Sequence, residues 1–495
     1  MKQSRLLFDE RMVPSDELAG ETEGQWIDSK LLLVSNRIDL VPKLLYIKSL
    51  EQEREAGYPE YLYKEHLACF SLGKFIEPGN PEKDSFLKYK NTFNKLFESI
   101  KHDGFDSTVS LIPVSKKGNC LIDGAHRSSC AIYLNKNIPI VQFDTKPKKF
   151  DIQYFISRGM LSQDADYILK SYIEINDSMN FYAICIWPNS REYLNSIETE
   201  INENFNILFK KNIILTDNGA HNFLSQIYSK GHWVGNYKND YQGIIEKKSE
   251  CFGSCHESLT VFFIETSKEL DDIVKFKEDI RDKFGKKKHL LHITDDKEEC
   301  LQVCELLLNE NSINHLNNSF PTHSKNFQMN FEKFRKELED KEIDRESICI
   351  INGSVLSVFG IRDTDDIDYV CSNTLHPILG GYDLANNLCN KVGIDINELV
   401  YNPNQHFYYM GIKFASLDVF LKIKNFRREP KDLDDIKLVK CFESSDKNVK
   451  SYLFSKKVMI KRNCKRFFML QKNRAVKLTK TLGVYGFLKS LIGGK

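Results

Sequence analysis

Apolar residues recur along the chain with the spacings of both helices and strands. Between residues 86 and 100 they fall at intervals of three and four, which predicts an amphipathic helix that ends at Asp103-Gly104. The helix positions are Phe86, Tyr89, Phe93, Leu96, Phe97 and Ile100. Short apolar runs predict buried strands at 109–114, 138–143, 182–187, 259–264 and 347–351. Strands that alternate with helices in this way predict an α/β fold.

The length of 495 residues predicts about three globular units. Changes in pattern and charge divide the chain into five segments. We expect a loose, acidic extension at 1–30, a compact α/β unit at 31–150, a middle α/β domain at 151–320, a third α/β domain at 325–445 and a basic tail at 446–495.

Composition narrows the class of protein. Hydrophobic residues make up 41% and charged residues 28%, which is typical of a folded chain. No apolar run is long enough for a membrane span, and the start of the chain meets charge too soon for a signal peptide. The thirteen cysteines follow no framework spacing, so we expect reduced thiols and a cytoplasmic location.

The tail differs in charge from the rest of the chain. Residues 446–495 hold eleven Lys and three Arg against one Asp, a net charge of +13, so the remainder carries −12 within the total of +1. Apolar residues line one face of a predicted helix there at Leu478, Leu482, Tyr485, Leu488 and Ile492. We expect this basic amphipathic helix to lie on an anionic membrane surface. The alternatives are docking on the acidic body and, less favoured, binding to nucleic acid.

The segment 350–370 carries the most informative chemistry. A strand ends at Gly353-Ser354, a short helix follows, and a second strand opens with Asp366-Ile367-Asp368. Because side chains alternate along a strand, both carboxylates project to one side. Paired carboxylates suit Mg²⁺, which takes one or two protein carboxylates together with substrate phosphates. Gly353 permits close approach of the backbone to a phosphate, and Ser354 offers a hydroxyl and an amide.

This segment resembles the nucleotidyltransferase superfamily of the polymerase-beta type, whose signature is hydrophobic-Gly-Ser followed by Asp-hydrophobic-Asp. The resemblance covers about 325–445 and implies a mixed sheet, with Asp366 and Asp368 as catalytic Mg²⁺ ligands and with Gly353, Ser354 and Arg362 on the nucleoside triphosphate. It also implies a third metal carboxylate on a later strand, for which Asp418 is the candidate. Alternatively, Ser416 could cap a helix that contains Asp418.

A second motif, Asp123-Gly124-Ala125-His126-Arg127, opens a helix in the first unit. With its flanking strands it resembles the ParB/sulfiredoxin-like fold over about 90 residues. The resemblance implies that Asp123, Gly124, His126 and Arg127 form a nucleotide-binding turn, with His126 and Arg127 on the phosphates. Ala125 stands where sulfiredoxins have their reactive cysteine, which excludes that chemistry. The structural alternative is that Asp123 and Arg127 pair only to hold the turn.

Together these motifs predict an Mg²⁺-dependent nucleotidyltransferase or related phosphoryl transferase that acts on a small or sugar-like acceptor. The alternatives are a nucleotide-sensing protein with a degenerate transferase domain, and a small-molecule kinase that uses the N-terminal domain. The middle domain resembles, only in its general look, proteins of bacterial surface-polysaccharide gene clusters. Its His289, His292 and Asp295 lie around a predicted strand, and we interpret them as ordinary polar termination.

Overall fold

The computed structural model describes most of the chain. Its described residues are 24–52, 57–76, 83–107, 111–253, 258–372, 379–443, 471, 474–476 and 478–481. All the structural statements below concern these ranges. The apolar positions predicted for a tail helix lie outside them except Leu478, whose side chain is exposed, so the membrane prediction for the tail is not addressed by the fold.

The described residues form strands and helices in alternation. The strands are β1 Gln25–Asp28, β2 Ile112–Ser115, β3 Cys120–Leu121, β4 Asn137–Phe143, β5 Asn180–Ile186, β6 Asn206–Ile213, β7 Leu259–Thr266, β8 Leu291–Ile293, β9 Ile348–Ile351, β10 Asp368–Cys371, β11 Asp383–Leu384, β12 His406–Tyr409 and β13 Ile412–Ala415. The helices are α1 Leu40–Glu51, α2 Gly57–Ser71, α3 Phe86–Asp103, α4 Ala125–Tyr133, α5 Ile152–Ser157, α6 Ser162–Ile175, α7 Leu194–Asn204, α8 Asp217–Ile227, α9 Ile244–Phe252, α10 Leu270–Phe284, α11 Lys297–Leu307, α12 Glu310–Asn318, α13 Lys325–Asp340, α14 Gly353–Val358, α15 Asn386–Val392, α16 Ile396–Tyr401, α17 Leu417–Arg427 and α18 Pro430–Glu443. Short 3-10 turns lie at Ser29–Leu32, Pro188–Tyr193, His232–Val234, Tyr237–Asn239, Lys287–His289, Pro321–His323 and Arg345–Ser347.

Three sheets organise these elements. The N-terminal sheet has the order β1-β4-β2-β3 and is mixed, since only β2 and β4 are parallel. The middle sheet, β6-β7-β5-β8, is antiparallel throughout. The C-terminal sheet, β11-β10-β9-β13-β12, is mixed, with parallel pairing of β9 to β13 and of β10 to β11. The chain is therefore a multidomain α/β protein, as the alternation predicts.

Helix α3 shows how the sequence pattern determines packing. It spans Phe86–Asp103 and buries Tyr89, Phe93, Phe97 and Ile100, which share one face. That face packs on α4 and on aromatic residues of α1 and α2. Gly104 follows the last turn with φ +81°, a conformation that glycine adopts without steric cost, and so ends the helix where the sequence predicts.

Two of the predicted segment boundaries, near residues 30 and 150, do not coincide with a break in strand pairing or in the apolar core. Residues 25–28 fall in the predicted loose extension but form edge strand β1, because their backbone pairs with β4 although their side chains are mostly exposed. The apolar core also continues across residue 150. One cluster joins Ile112 and Ile140 of the N-terminal sheet to Leu169 of α6 and to Phe263 of the middle sheet. The first two predicted domains therefore share a core, whereas the C-terminal sheet has its own.

A buried group of charges joins the middle and C-terminal domains, and we call it the ionic cluster. It contains the buried side chains of Lys170, Glu305 and Lys413 and the partly buried side chain of Glu346. The Glu346 carboxylate lies 3.3 Å from Lys170 Nζ and 2.9 Å from Lys413 Nζ. The Tyr408 hydroxyl donates to the same carboxylate over 3.3 Å. Burial opposes the charged form of Glu346, but the two lysines outweigh it and lower its pKa well below 4.5.

Helix α12 makes the second link between these domains. Its His315 stacks on Phe407 of β12 at 4.6 Å between ring centroids and is completely buried. Asn309, which caps α12, donates to the carbonyls of Pro403 and His406.

Among the described helices, we find no candidate for a membrane span, since none combines the required length with the required hydropathy.

Candidate functional site

The site predicted in the C-terminal domain begins at the turn between β9 and α14. Asn352 has φ +59° and Gly353 follows as the first residue of α14. A Cβ on Gly353 would lie 3.2 Å from the Arg362 guanidinium and 3.4 Å from Thr364 Oγ1. The missing side chain therefore leaves room for the segment 362–364 to lie directly against the turn.

Ser354 has a different role from the one its sequence suggests. Its side chain is completely buried, and Oγ donates to the Asp366 carbonyl over 2.9 Å. The hydroxyl therefore fixes the loop that carries Asp366 instead of facing a phosphate. The backbone amide remains for a ligand, since the first amides of a helix have no carbonyl partner within it.

Strand β10 begins at Asp368, and Asp366 lies two residues before it, outside the strand. Ile367 between them is buried, Asp366 is exposed and Asp368 is partly buried. Asn352 Nδ2 donates to the Asp368 carboxylate over 2.9 Å, which ties the turn after β9 to the start of β10. Within the described residues the Asp366 carboxylate makes no hydrogen bond or ion pair, so it is available to a ligand.

Asp383 is a third carboxylate that the sequence reasoning missed. Strand β11 pairs in parallel with β10, and the register places Asp383 beside Asp368. Residues in register on adjacent strands project to the same face of a sheet. Burial raises the pKa of Asp368, and the charges of Asp383 and Asp366 raise it further. The three carboxylates thus share one edge of the sheet.

The donor set at this edge suits Mg²⁺. Its side chains offer only oxygen, the ligand that hard cations prefer. Asn352 Oδ1 is also buried there without a hydrogen-bond partner. Across the described ranges, no three Asp, Glu, His or Cys side chains come together as a complete metal cage. The site would therefore hold Mg²⁺ through one or two carboxylates, with the remaining ligands from substrate phosphates and water.

A network of ion pairs fixes Arg362 beside the turn. Its Nε and Nη2 lie 3.1 and 3.4 Å from the two Asp435 oxygens. Lys424 Nζ contacts Asp435 at 3.3 Å and Asp432 at 2.8 Å. The charge of Lys424 also acts to lower the pKa of Asp368, against the larger effect of burial. Helices α17 and α18 therefore hold Arg362 beside the Gly353 turn and Lys424 where its charge acts on Asp368.

Asp418 lies in the first turn of α17 and not on a strand. Ser416 is the N-cap of that helix, and its side chain accepts from the amide of Val419, so the helical alternative is confirmed. Strand β13 pairs in parallel with β9, which puts Asp418 near the same sheet edge, but β9 separates β13 from β10. The charge of Asp418 acts on Glu443, whose pKa is raised by burial and by this charge. Its role as a metal ligand stays a prediction.

The motif in the N-terminal domain forms a tight turn at the start of α4. Gly124 has φ +88°, and a Cβ there would lie 2.6 Å from Ile112 Cδ1, so only glycine fits. Arg127 Nη2 lies 3.5 Å from Asp123 Oδ2. The pairing proposed as the structural alternative is therefore present, with the Arg127 side chain still 22% exposed.

His126 points toward an aromatic cage and not toward open solvent. Its Nε2 lies 2.9 Å from the Tyr63 hydroxyl, and its ring meets Phe93 edge-on at 4.7 Å. Burial lowers the pKa of His126 well below 6.5, and the nearby cations Lys43 and Lys83 lower it further. His126 is therefore neutral at pH 7 and would meet a phosphate as a neutral hydrogen-bonding group.

Beside this cage lies a buried group of charges that the sequence reasoning also missed. Arg37 forms a two-pronged pair with Asp39 at 2.7 and 2.9 Å, and Lys43 Nζ lies 3.2 Å from the same carboxylate. Burial lowers the pKa of Lys43 to about 8. Both ring nitrogens of His66 are buried without a hydrogen-bond partner. The group carries one more positive than negative charge, and it contains ring nitrogens that have no hydrogen-bond partner among the described residues.

The predicted site residues therefore lie in two groups. One is the carboxylate edge of the C-terminal sheet, and the other is the turn at the start of α4 in the N-terminal domain. The chain matches no protein-family model, no curated protein and no solved structure.

Proposed function

We propose that the protein is an Mg²⁺-dependent transferase that moves a nucleotidyl or related phosphoryl group from a nucleoside triphosphate to a small or sugar-like acceptor. The observation that supports this most strongly is the register that places Asp383 beside Asp368, together with the hydrogen bond that joins Asp368 to Asn352 in the turn before Gly353. An exposed carboxylate that has no hydrogen bond or ion pair among the described residues, beside the first amides of a helix, suits phosphoryl transfer.

Each residue has a separate task in this proposal. Asp366 and Asp368 hold Mg²⁺, which when bound neutralises the charge that builds up on the phosphoryl oxygens. Asn352 orients Asp368 through its 2.9 Å hydrogen bond. The backbone at Gly353 and Ser354 approaches the phosphates, and Arg362, held by Asp435, contributes positive charge beside them. Asp383 completes the carboxylate edge.

The proposal is tested by incubating the full chain with each labelled nucleoside triphosphate, Mg²⁺ and a panel of sugars and sugar phosphates. Nucleotidyl transfer releases pyrophosphate. Transfer of a phosphoryl group instead leaves a nucleoside diphosphate, and a sensor would bind the nucleotide without turnover. Absence of both products with every donor and acceptor would contradict the assignment.

Asp383 and Asp418 compete for the role of third carboxylate, and the structure favours Asp383 because its register places it beside Asp368. We expect Asp383→Asn to lower pyrophosphate release at least tenfold and Asp418→Asn to leave it within about twofold. Loss of one carboxylate from a metal site weakens the charge stabilisation of the transition state, and about 1.4 kcal/mol in the barrier corresponds to tenfold in rate. The measurement is the steady-state rate of pyrophosphate release by the two variants. A larger loss in Asp418→Asn than in Asp383→Asn would make Asp418 the third carboxylate.

A second function, nucleotide binding by the N-terminal domain, is supported by the buried cations around His126. Lys43 is completely buried yet charged at neutral pH, and His66 beside it has no hydrogen-bond partner. A phosphate on the Gly124 turn would offset this excess positive charge. Such a site could belong to a kinase or to a regulatory nucleotide site.

We expect Arg127→Ala to weaken nucleotide binding at this turn by about ten- to a hundredfold, since one charge-assisted contact to phosphate is worth ~1.5–3 kcal/mol. Calorimetry on the full chain is the measurement, because the core that continues past residue 150 makes a shorter fragment unsuitable. Lys117→Ala, which removes an exposed cation from the β2–β3 turn, is the matched control. Equal affinity in both variants would make the Asp123–Arg127 pair purely structural.

A further inference from the structure

The middle domain contains a cleft that neither proposed site uses. It has a volume of about 420 Å³ and lies between α9, α10 and the segment 288–295 that contains β8. Four cationic side chains and two carboxylates line it. Lys277 pairs with Asp295 at 2.9 Å, so part of this charge is already compensated.

Two of the cations have no acidic partner. Lys247 and Arg281 make no ion pair to any described carboxylate, and Lys247 Nζ donates to the Lys288 carbonyl over 2.6 Å. Arg281 Nε is buried without a hydrogen-bond partner, although its Nη2 donates to the Leu291 carbonyl. Buried guanidinium N–H groups are expensive to leave unsatisfied, and an anion in the cleft would satisfy this one.

The histidines add unpartnered polar atoms to the same wall. His292 is 8% exposed, lines the cleft and makes no hydrogen bond through its ring within the described residues. Burial lowers its pKa to about 3, helped by the charges of Lys277 and Lys247, so the ring is neutral and can donate one N–H. Nδ1 of His289 is buried without a partner. The two histidines therefore offer polar ring atoms to a ligand in the cleft.

An aromatic rim lies beside the cations. Trp233 is 53% exposed, and its ring centroid lies 5.5 Å from that of Tyr228. The loop that carries Trp233 is held closely, since a Cβ on Gly243 would lie 1.9 Å from the Trp233 carbonyl oxygen. An exposed, fixed aromatic face next to a cationic wall suits a ligand that combines a ring with an anionic group.

We propose that this cleft binds a small phosphate ester whose organic part is a ring. The phosphate contacts Lys247, Arg281 and Lys288, and the neutral His292 donates a hydrogen bond. The ring stacks on Trp233. Nucleotides and sugar phosphates both have this chemistry, and the experiment separates them.

The test is a calorimetric titration of the full chain in EDTA with AMP, with glucose 1-phosphate and with inorganic phosphate. Metal-free conditions remove the proposed Mg²⁺ site from the measurement. We expect at least one ring-bearing probe to bind more tightly than inorganic phosphate, and its identity distinguishes a nucleotide from a sugar phosphate. Trp233→Leu is expected to remove that advantage while inorganic phosphate binding stays the same.

Lys247→Gln is expected to weaken binding of that probe by ten- to a hundredfold. Because Lys247 is partly buried, substitution of the exposed Lys288 by Gln serves as a second variant that does not disturb packing, with an expected loss of about three- to tenfold. The matched control is Lys275→Gln, an exposed cation on α10 that does not line the cleft. The proposal is overturned if no ring-bearing probe binds more tightly than inorganic phosphate, or if Lys247→Gln and Lys288→Gln both bind like the unmodified chain.

Discussion

Replacing Asp368 with asparagine is expected to lower transfer activity by roughly a thousandfold while the protein remains as stable as before. A bound cation supplies several kcal/mol of transition-state stabilisation, and each 1.4 kcal/mol is tenfold in rate. The stability should hold or rise slightly, because burial and the charges of Asp383 and Asp366 already disfavour the ionised form of Asp368. Asparagine keeps an oxygen that can accept the hydrogen bond from Asn352.

The measurement pairs pyrophosphate release with the midpoint of thermal unfolding. Asp365→Asn is the matched control, since Asp365 is the exposed neighbouring residue and only its backbone carbonyl is in a hydrogen bond, with Asn330. Activity should fall only in the Asp368 variant, with both midpoints near that of the unmodified chain. Full turnover by Asp368→Asn at limiting Mg²⁺ would refute the site.

The largest effect on stability is expected at Glu346. Glu346→Gln removes the carboxylate shared by Lys170 and Lys413 and leaves two buried cations with less compensation. Removing one partner of a buried pair costs about 3–5 kcal/mol. Because the pKa of Glu346 is lowered in the folded state, this stabilisation is present above pH 4.5 and is lost as the pH falls toward the lowered folded-state pKa.

Urea unfolding at pH 7 measures this loss directly. The control is Glu339→Gln, on the exposed face of α13. Glu339 has no ion-pair partner among the described residues, so this variant should change the unfolding free energy by less than about 0.5 kcal/mol. Near pH 3 the difference between Glu346→Gln and the unmodified chain should shrink. A Glu346 variant as stable as the control at pH 7 would show that the ionic cluster contributes nothing net.

The sequence predicts elements whose periodicity is strong. The face of α3 and the order strand, turn, short helix, strand at 348–371 follow directly from residue spacing. Asp366 and Asp368 could be singled out because their spacing is a local property of the sequence, although only Asp368 lies on β10. The burial of the Ser354 hydroxyl could not be predicted in this way, since its acceptor is a carbonyl twelve residues away.

The missed residues depend on contacts between distant segments. Asp383 has the same hydrophobic-acid-hydrophobic neighbours as Asp418, and only the pairing of β11 with β10 distinguishes them. Arg37, Asp39 and Lys43 look like ordinary surface charges in the sequence, but the fold buries all three. The shared core of the first two domains is likewise hidden, because apolar periodicity does not say which faces meet.

The insertion of His315 into the C-terminal core has a consequence for motion. Hinge bending between the middle and C-terminal domains would withdraw this ring from Phe407 and would break the contacts of Glu346 with Lys170. Domains joined only by polar surface contacts usually move as separate bodies. This junction instead contains a buried aromatic stack and an ion pair with a buried lysine. Any closure over the carboxylate edge must therefore come from local loop movement, and small-angle scattering should show the same radius of gyration with and without nucleotide.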